Sequence, residues 1–295
     1  MVKPARATTE EGEPAGDDEL ESGRMPFLSH LAELRDRVRN AAIVFMLAFG
    51  LCWYFAKDIF AWLREPLFKI WCQHCDVLEG PACLGHDLVK AGTSWGPPQL
   101  IYTGLTQPFW VDMSIGLWAG VFVASPFMFH QLWRFIAPGL YKRERRLTIY
   151  FAVFSAMFFV AGALFCFYFV LPQLYNFLLS YNTATVKSLP NLQDYLDLTR
   201  DMMLAFGAVF ELPLLIYFLA LGGLVTHRSL WKFNRWFVVL AFVVGAILTP
   251  SPDPYTQTLM ALPMILLYNF SIILAWRVTI RRERKAAEER AREEA

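Results

Sequence analysis

Charge is what this sequence has least of. Of 295 residues, 18% are Asp, Glu, Lys or Arg, against about a quarter in an ordinary soluble domain. Apolar residues reach 56% and aromatic ones 16%, with a mean hydropathy of +0.36. That balance excludes a disordered, collagen-like or disulfide-knotted chain. There is no glycine run ending in Lys-Ser or Lys-Thr to cradle a nucleotide phosphate, no internal repeat, and no second cysteine pair at the distance that would complete a metal site. The sequence therefore implies no cofactor, no resident metal, no catalytic residues and no enzyme. The net charge of +1 names no partner, and nothing in the basic residues resembles a nucleic-acid surface. The amino terminus also lacks a basic, apolar leader. Its first 24 residues hold seven acids and three basic residues, which reads as a disordered acidic tail.

What is present is a series of long uncharged windows. Residues 41–56 are sixteen without a charge, and the apolar character resumes at 59–63 after Lys57 and Asp58, which can snorkel. This is span one. Span two, 113–133, carries Gly116 and Gly120 at a close-packing spacing and Pro126 at an expected kink. Span three, 147–171, has 25 uncharged residues, sufficient for a hydrocarbon core about 30 Å thick. Span four, 202–221, is interrupted by Glu211 and Pro213. Span five, 236–249, has fourteen residues, about 21 Å of helix at about 1.5 Å per residue, too short to cross alone. Span six, 255–276, follows the turn 250–254 as its antiparallel partner. The expected fold is all-α: a polytopic membrane protein with six transmembrane helices over 25–277, an outer loop at about 62–108, and a charged tail over 278–295.

The basic residues orient it. Of 27 Lys and Arg, 21 fall on the side that holds both termini and six on the other, so both termini are expected in the cytoplasm. Five cysteines divide by place. Cys52 and Cys166 lie in spans as small apolar residues, while Cys72, Cys75 and Cys83 lie in the outer loop. One disulfide with one thiol left over is the plainest reading there; a metal site with His74 or His86 and a redox motif are weaker alternatives, since Cys72-Gln-His-Cys75 has no second pair.

Four acids need a reason. Glu211, at mid-span, costs a few kcal/mol in hydrocarbon unless it faces a protein interior or is neutral; it either ties helices together or takes part in function. Asp253 stands in the proline-rich turn between spans five and six, where an ordinary exposed turn acid is the simplest account. Glu33 lies in an amphipathic lead-in to span one, with Ser29 placed to cap its start and Arg37 at i,i+4. Glu144 stands among four cations in Tyr141-Lys-Arg-Glu-Arg-Arg146. Each of the last two has an ion pair as its plain reading. Together they could instead grip two guanidinium groups, each by a planar forked contact that lysine cannot reproduce.

Four ordered segments carry a resemblance: His30-Leu-Ala-Glu-Leu-Arg-Asp-Arg37, Phe135-Ile-Ala-Pro-Gly-Leu-Tyr-Lys-Arg-Glu-Arg-Arg146, Phe206-Gly-Ala-Val-Phe-Glu-Leu-Pro213, and Leu248-Thr-Pro followed by Gln257-Thr-Leu-Met-Ala-Leu-Pro263. Together they resemble the TatC family, the polytopic core of the twin-arginine translocase, over about 26–277. The resemblance implies a receptor in the cell membrane for twin-arginine signal peptides on folded cargo. It also implies self-association, assembly with single-span TatA and TatB partners, and export driven by the proton motive force. It places Glu33 and Glu144 at the arginine-recognition site and Arg35, Phe135, Leu140 and Lys142 on the same signal-binding surface. Pro66 falls at an outer-loop position of functional weight, Glu211 at the intramembrane acid and Asp253 at the acid of the last outer turn. Thr249 and Gln257 fall where the single-span partners dock. The turn at 249–253 is one residue longer than the usual form, and the cysteine-bearing insertion departs from the family pattern. The competing reading is a proton-coupled small-solute transporter using Glu211.

Overall fold

In the computed structural model, the described residues are 17–74, 100–136, 145–181, 189–249 and 253–293. They form ten α-helices: α1 Asp17–Tyr54, α2 Ala56–Leu63, α3 Glu65–His74, α4 Gln107–Ile136, α5 Arg145–Phe165, α6 Leu171–Leu179, α7 Leu192–Phe210, α8 Leu212–Leu221, α9 His227–Leu248 and α10 Pro254–Glu293. A π-helical turn, Cys166–Val170, joins α5 to α6. Five runs are long and apolar enough to cross a membrane, and the bent pair α1–α2 supplies a sixth.

Three expectations change. Span one does not continue through 59–63: the chain turns by 74° at Phe55, and α2 and α3 pack instead against the core formed with α4, α6 and α7. Their apolar faces find protein there, with Ala56, Leu67, Ile70 and Trp71 all buried. Ser29 does not mark the start of a helix, because α1 begins at Asp17 and runs through it. Span five is longer than its uncharged window. Its helix has 22 residues, about 33 Å, because Thr226 caps it through Ser229 N–H and takes Lys232 and Arg235 into the helix. The carboxyl tail likewise continues as helix to Glu293.

Close approach organises the bundle. A Cβ on Gly116 would stand 2.8 Å from Trp53 Cβ, and one on Gly120 would stand 3.0 Å from Phe49 Cα, so α1 and α4 meet backbone to backbone. At Gly162 a Cβ would lie 2.6 Å from the Phe206 carbonyl oxygen, joining α5 to α7 the same way. Pro126 sits within α4. Its missing amide would orphan the Phe122 carbonyl, which accepts the Ser125 hydroxyl at 2.7 Å instead.

Buried apolar side chains fall into two main clusters. One gathers α2, α3, α4, α5, the π-turn, α6 and α7 around Phe167, Leu171 and Phe206; Trp62 and Phe167 stack within it at 4.1 Å. The other gathers α8, α9 and α10 around Met264, Tyr268 and Ala275. Trp133, Ala152 and Phe218 form a smaller contact between α4, α5 and α8. An isolated parallel bridge pairs Ile101 with Asn191, and Leu192 N–H donates to the Ile101 carbonyl at 2.7 Å. It ties the segments that lead into α4 and α7.

Candidate functional site: acids at the helix joints

Of the described acids singled out from the sequence, Glu211 and Asp253 lie at a break and at a start of helices, while Glu33 lies within α1. Glu33 stands in α1 with its Oε1 accepting Arg37 Nε at 3.2 Å and Arg37 Nη2 as well. One guanidinium thus presents two donors to one carboxylate oxygen, and its side chain is 13% exposed against 38% for Glu33. Arg35 points away, 76% exposed, with its Nε 3.5 Å from Asp36 Oδ1. The contacts of Gly116 with Trp53 and of Gly120 with Phe49 set an antiparallel register. Each step forward on α4 matches a step back on α1, so Phe135, in the last turn of α4, falls level with Leu34. Glu33, Arg35 and Phe135 therefore share one end of the α1–α4 pair. Leu140, Lys142 and Glu144 lie outside the described residues, as do Cys75 and Cys83. Cys72 is in α3.

Glu211 occupies the break between α7 and α8. Pro213 in the first turn of α8 has no amide to give, and the Glu211 N–H turns back to Ala208 O at 3.2 Å. The break falls where the two core clusters meet: Phe206 belongs to one and Ile216 to the other. Its carboxyl faces the Ser155 hydroxyl and the Phe159 backbone of α5, and Oε1 is buried with no hydrogen-bond partner among the described residues. Ser155, fully buried, accepts Trp133 Nε1 at 2.7 Å. Trp133 of α4 and Ser155 of α5 were not marked from the sequence. A lone Ser in an apolar span carries no periodic signal, and only the packing sets it between an indole and a carboxyl.

Asp253 caps α10. Its Oδ2 accepts Thr256 N–H at 2.8 Å, its Oδ1 accepts the Thr256 hydroxyl at 2.6 Å, and its carbonyl accepts Gln257 N–H at 3.2 Å. The exposed turn acid expected from the proline-rich stretch is thus a helix cap, with Pro254 at the first helical position, where a missing N–H costs nothing. Thr249 ends α9, buried, with its hydroxyl donating to Gly245 O at 2.9 Å. A Cβ on Gly245 would come to 3.4 Å from Gln257 O, so Thr249, Asp253 and Gln257 gather at one tight α9–α10 joint. Pro66 is buried in the first turn of α3. Nearby, Tyr195 donates from its hydroxyl to Leu63 O at 2.6 Å, where α2 ends. Thr199 Oγ1 donates to Tyr195 O at 2.7 Å and lies 2.7 Å from the Tyr175 hydroxyl. This buried chain, also missed from the sequence, pins α2 and α6 to α7.

The comparisons agree with one another. The profile of the family described as Sec-independent protein translocase protein (TatC) matches residues 29–263. The TatC of Magnetococcus marinus is 35% identical over 272 residues, covering 92% of this chain and 90% of its own length. The TatC of Koribacter versatilis is 36% identical over 265 residues, with 90% of each covered. A crystal structure described as the twin arginine translocase receptor TatC superposes with a TM-score of 0.69 at 35% identity, covering 85% of this chain and 99% of that one. None of these relationships supports the solute-transporter reading. The four ordered motifs, the helical membrane bundle and the matched relatives converge: this chain belongs to the TatC family and is a multi-pass membrane component of a Sec-independent protein translocase.

Proposed function

We propose that this chain is the signal-receptor subunit of a twin-arginine translocase in the cell membrane, with both termini in the cytoplasm. Glu33 and Glu144 would together receive the paired arginines of a signal peptide. The observation that carries this reading is the Glu33–Arg37 contact, in which one carboxylate oxygen takes two donors from one guanidinium. Glu33 is thus already shaped for the group it would recognise, and Arg37 is an internal stand-in that a signal arginine displaces. Such an exchange keeps the carboxylate paired throughout, and the forked geometry favours Arg over Lys. Phe135, level with Leu34 at the same end, offers apolar surface beside the acid. Arg35, exposed, contributes to the same face, as do Leu140 and Lys142 in the loop that carries Glu144. The 21 basic residues on this side hold it against anionic lipid at about 1 kcal/mol per residue near the surface.

Assembly with single-span TatA and TatB partners would use the α9–α10 joint, where Thr249 and Gln257 lie beside each other's helices. Glu211 would serve as the intramembrane acid and Pro66 would hold the outer helices. Transport would draw on the transmembrane proton gradient, at about 2.3 kcal/mol per charge per 100 mV. We infer no catalytic role and no cofactor.

Crosslinking of purified full-length protein to a twin-arginine signal peptide tests the reading. Glu33→Ala and Glu144→Ala each lower capture, and replacing both peptide arginines by lysine does the same. Arg37→Ala raises capture, because the internal competitor is gone. Unchanged capture in both acid variants would remove the two-carboxylate site.

A further inference from the structure

Away from the acids described above, a groove of about 330 Å³ opens between α1, α2, α4, α5 and α7. Its volume is in the range of small-ligand sites, about 300–1,000 Å³. The walls are apolar, with Ile59, Trp62, Phe122, Val160 and Met203 among them, and Val123 and Leu164 are exposed at its opening. One charged side chain lines it, Arg200. The guanidinium lies 4.9 Å from the Trp118 ring centroid, so it is placed from one side by an indole. On the other side two acids hold it: Arg200 Nη1 donates to Asp197 Oδ1 at 2.5 Å and Nε donates to Asp201 Oδ1 at 2.7 Å.

Depth bears on what could lie there. The run from Leu192 to Leu221 has 30 residues, whereas about 20 suffice to cross the hydrocarbon core. The uncharged stretch that begins at Met202 accounts for that crossing. Arg200 then sits at the boundary, with the apolar walls extending inward from it. A guanidinium at that level is stable when it faces headgroups, and costly when it faces acyl chains alone.

The polar end is not simply basic. One cation and two carboxylates leave it one negative charge in excess, which disfavours a purely anionic ligand. Arg200 keeps N–H donors on Nη2 beyond the two bonds above, and each aspartate keeps a second oxygen, with side chains 38% and 49% exposed. Donors and acceptors therefore lie side by side at the mouth of an apolar slot. A zwitterionic headgroup carrying a phosphate and an ammonium matches that arrangement, and one acyl chain matches the slot. We propose that this groove binds one amino-headgroup phospholipid, with its phosphate on Arg200, its ammonium at Asp197 and Asp201, and an acyl chain along Trp118, Val123 and Leu164. A bound lipid would fill the gap that the bend at Phe55 leaves beside α1 and couple the bilayer to the α2–α7 packing.

The test uses full-length protein in nanodiscs doped with phosphatidylethanolamine, phosphatidylglycerol or diacylglycerol, each carrying a photoreactive diazirine in one acyl chain, with labelled residues mapped by mass spectrometry. Phosphatidylethanolamine labels Trp118, Val123, Val160 and Leu164 well above Val239 and Ile247, which are exposed on α9. Arg200→Gln lowers that labelling about tenfold, as expected for losing a charge-assisted contact. Ala119→Phe, which fills the slot, abolishes it; Val123→Trp does so from an exposed position if the first variant misfolds. Diacylglycerol shows no preference for the groove. Equal labelling of groove and α9, labelling indifferent to Arg200→Gln, or equal labelling by phosphatidylglycerol would overturn the proposal.

Discussion

Asp253 and Glu211 show how differently one residue type can serve in this chain. Asp253 satisfies two amides and a hydroxyl at the start of α10. Asp253→Ala removes a cap and lowers stability by about 1 kcal/mol, read as a fall in melting temperature in detergent, while Asp253→Asn retains most of it; equal melting of all three would refute the capping role. Glu211 has Ser155 and the Phe159 backbone before it and an unbonded Oε1 among the described residues. Glu211→Gln keeps the shape and the hydrogen bonding, so assembled complex is expected at parental levels on native gels. Loss of transport in that variant would point to the carboxyl itself. Trp133→Phe, which removes the indole N–H from Ser155, is expected to lower stability by about 1 kcal/mol without emptying the ring's place in its cluster.

Between elements, glycine sets the distances. Gly116 and Gly120 were legible in the sequence as a close-packing pair, but their partners were not, because spacing along one helix says nothing about which helix it meets. The structure supplies Trp53 and Phe49 of α1. Gly116→Leu and Gly120→Leu are expected to separate α1 from α4, lowering stability by about 1–3 kcal/mol or more for overpacking. Since Phe135 is aligned with Leu34 through that same register, both substitutions are also expected to weaken signal-peptide crosslinking, although neither residue lies near Glu33. Wild-type crosslinking in a Gly116→Leu protein that melts early would show that the register does not hold the site. The α2–α3 turn teaches the complementary lesson. Residues 59–63 looked like the end of span one because hydropathy counts side chains and not direction; the chain instead bends at Phe55, and α2 packs on α4 and is held by the Tyr195 bond to Leu63 O, both from segments far along the chain.

For the molecule as a whole, the orientation proposed above is open to a direct check. In a variant with all five native cysteines replaced, a cysteine at Leu105, 98% exposed, should react with a membrane-impermeant maleimide on intact cells, whereas one at Arg292 should react only after lysis. Reaction of both from outside would defeat the assignment. The sequence by itself determined the class, the number of spans and the asymmetry of basic residues, since apolar length and charge position act locally and can be read one segment at a time. It also marked Glu211 as needing an explanation, because a carboxylate at mid-span is costly wherever it is, and it offered Arg37, one turn along, as the partner of Glu33. Only the tertiary structure decided what surrounds Glu211, a serine that also accepts an indole N–H from a second helix, and that Asp253 caps the first turn of α10. The surroundings of Glu211 depend on distances between segments far apart in the chain, and such distances are settled by packing, where a missing Cβ at Gly116 or Gly162 decides which helices can touch.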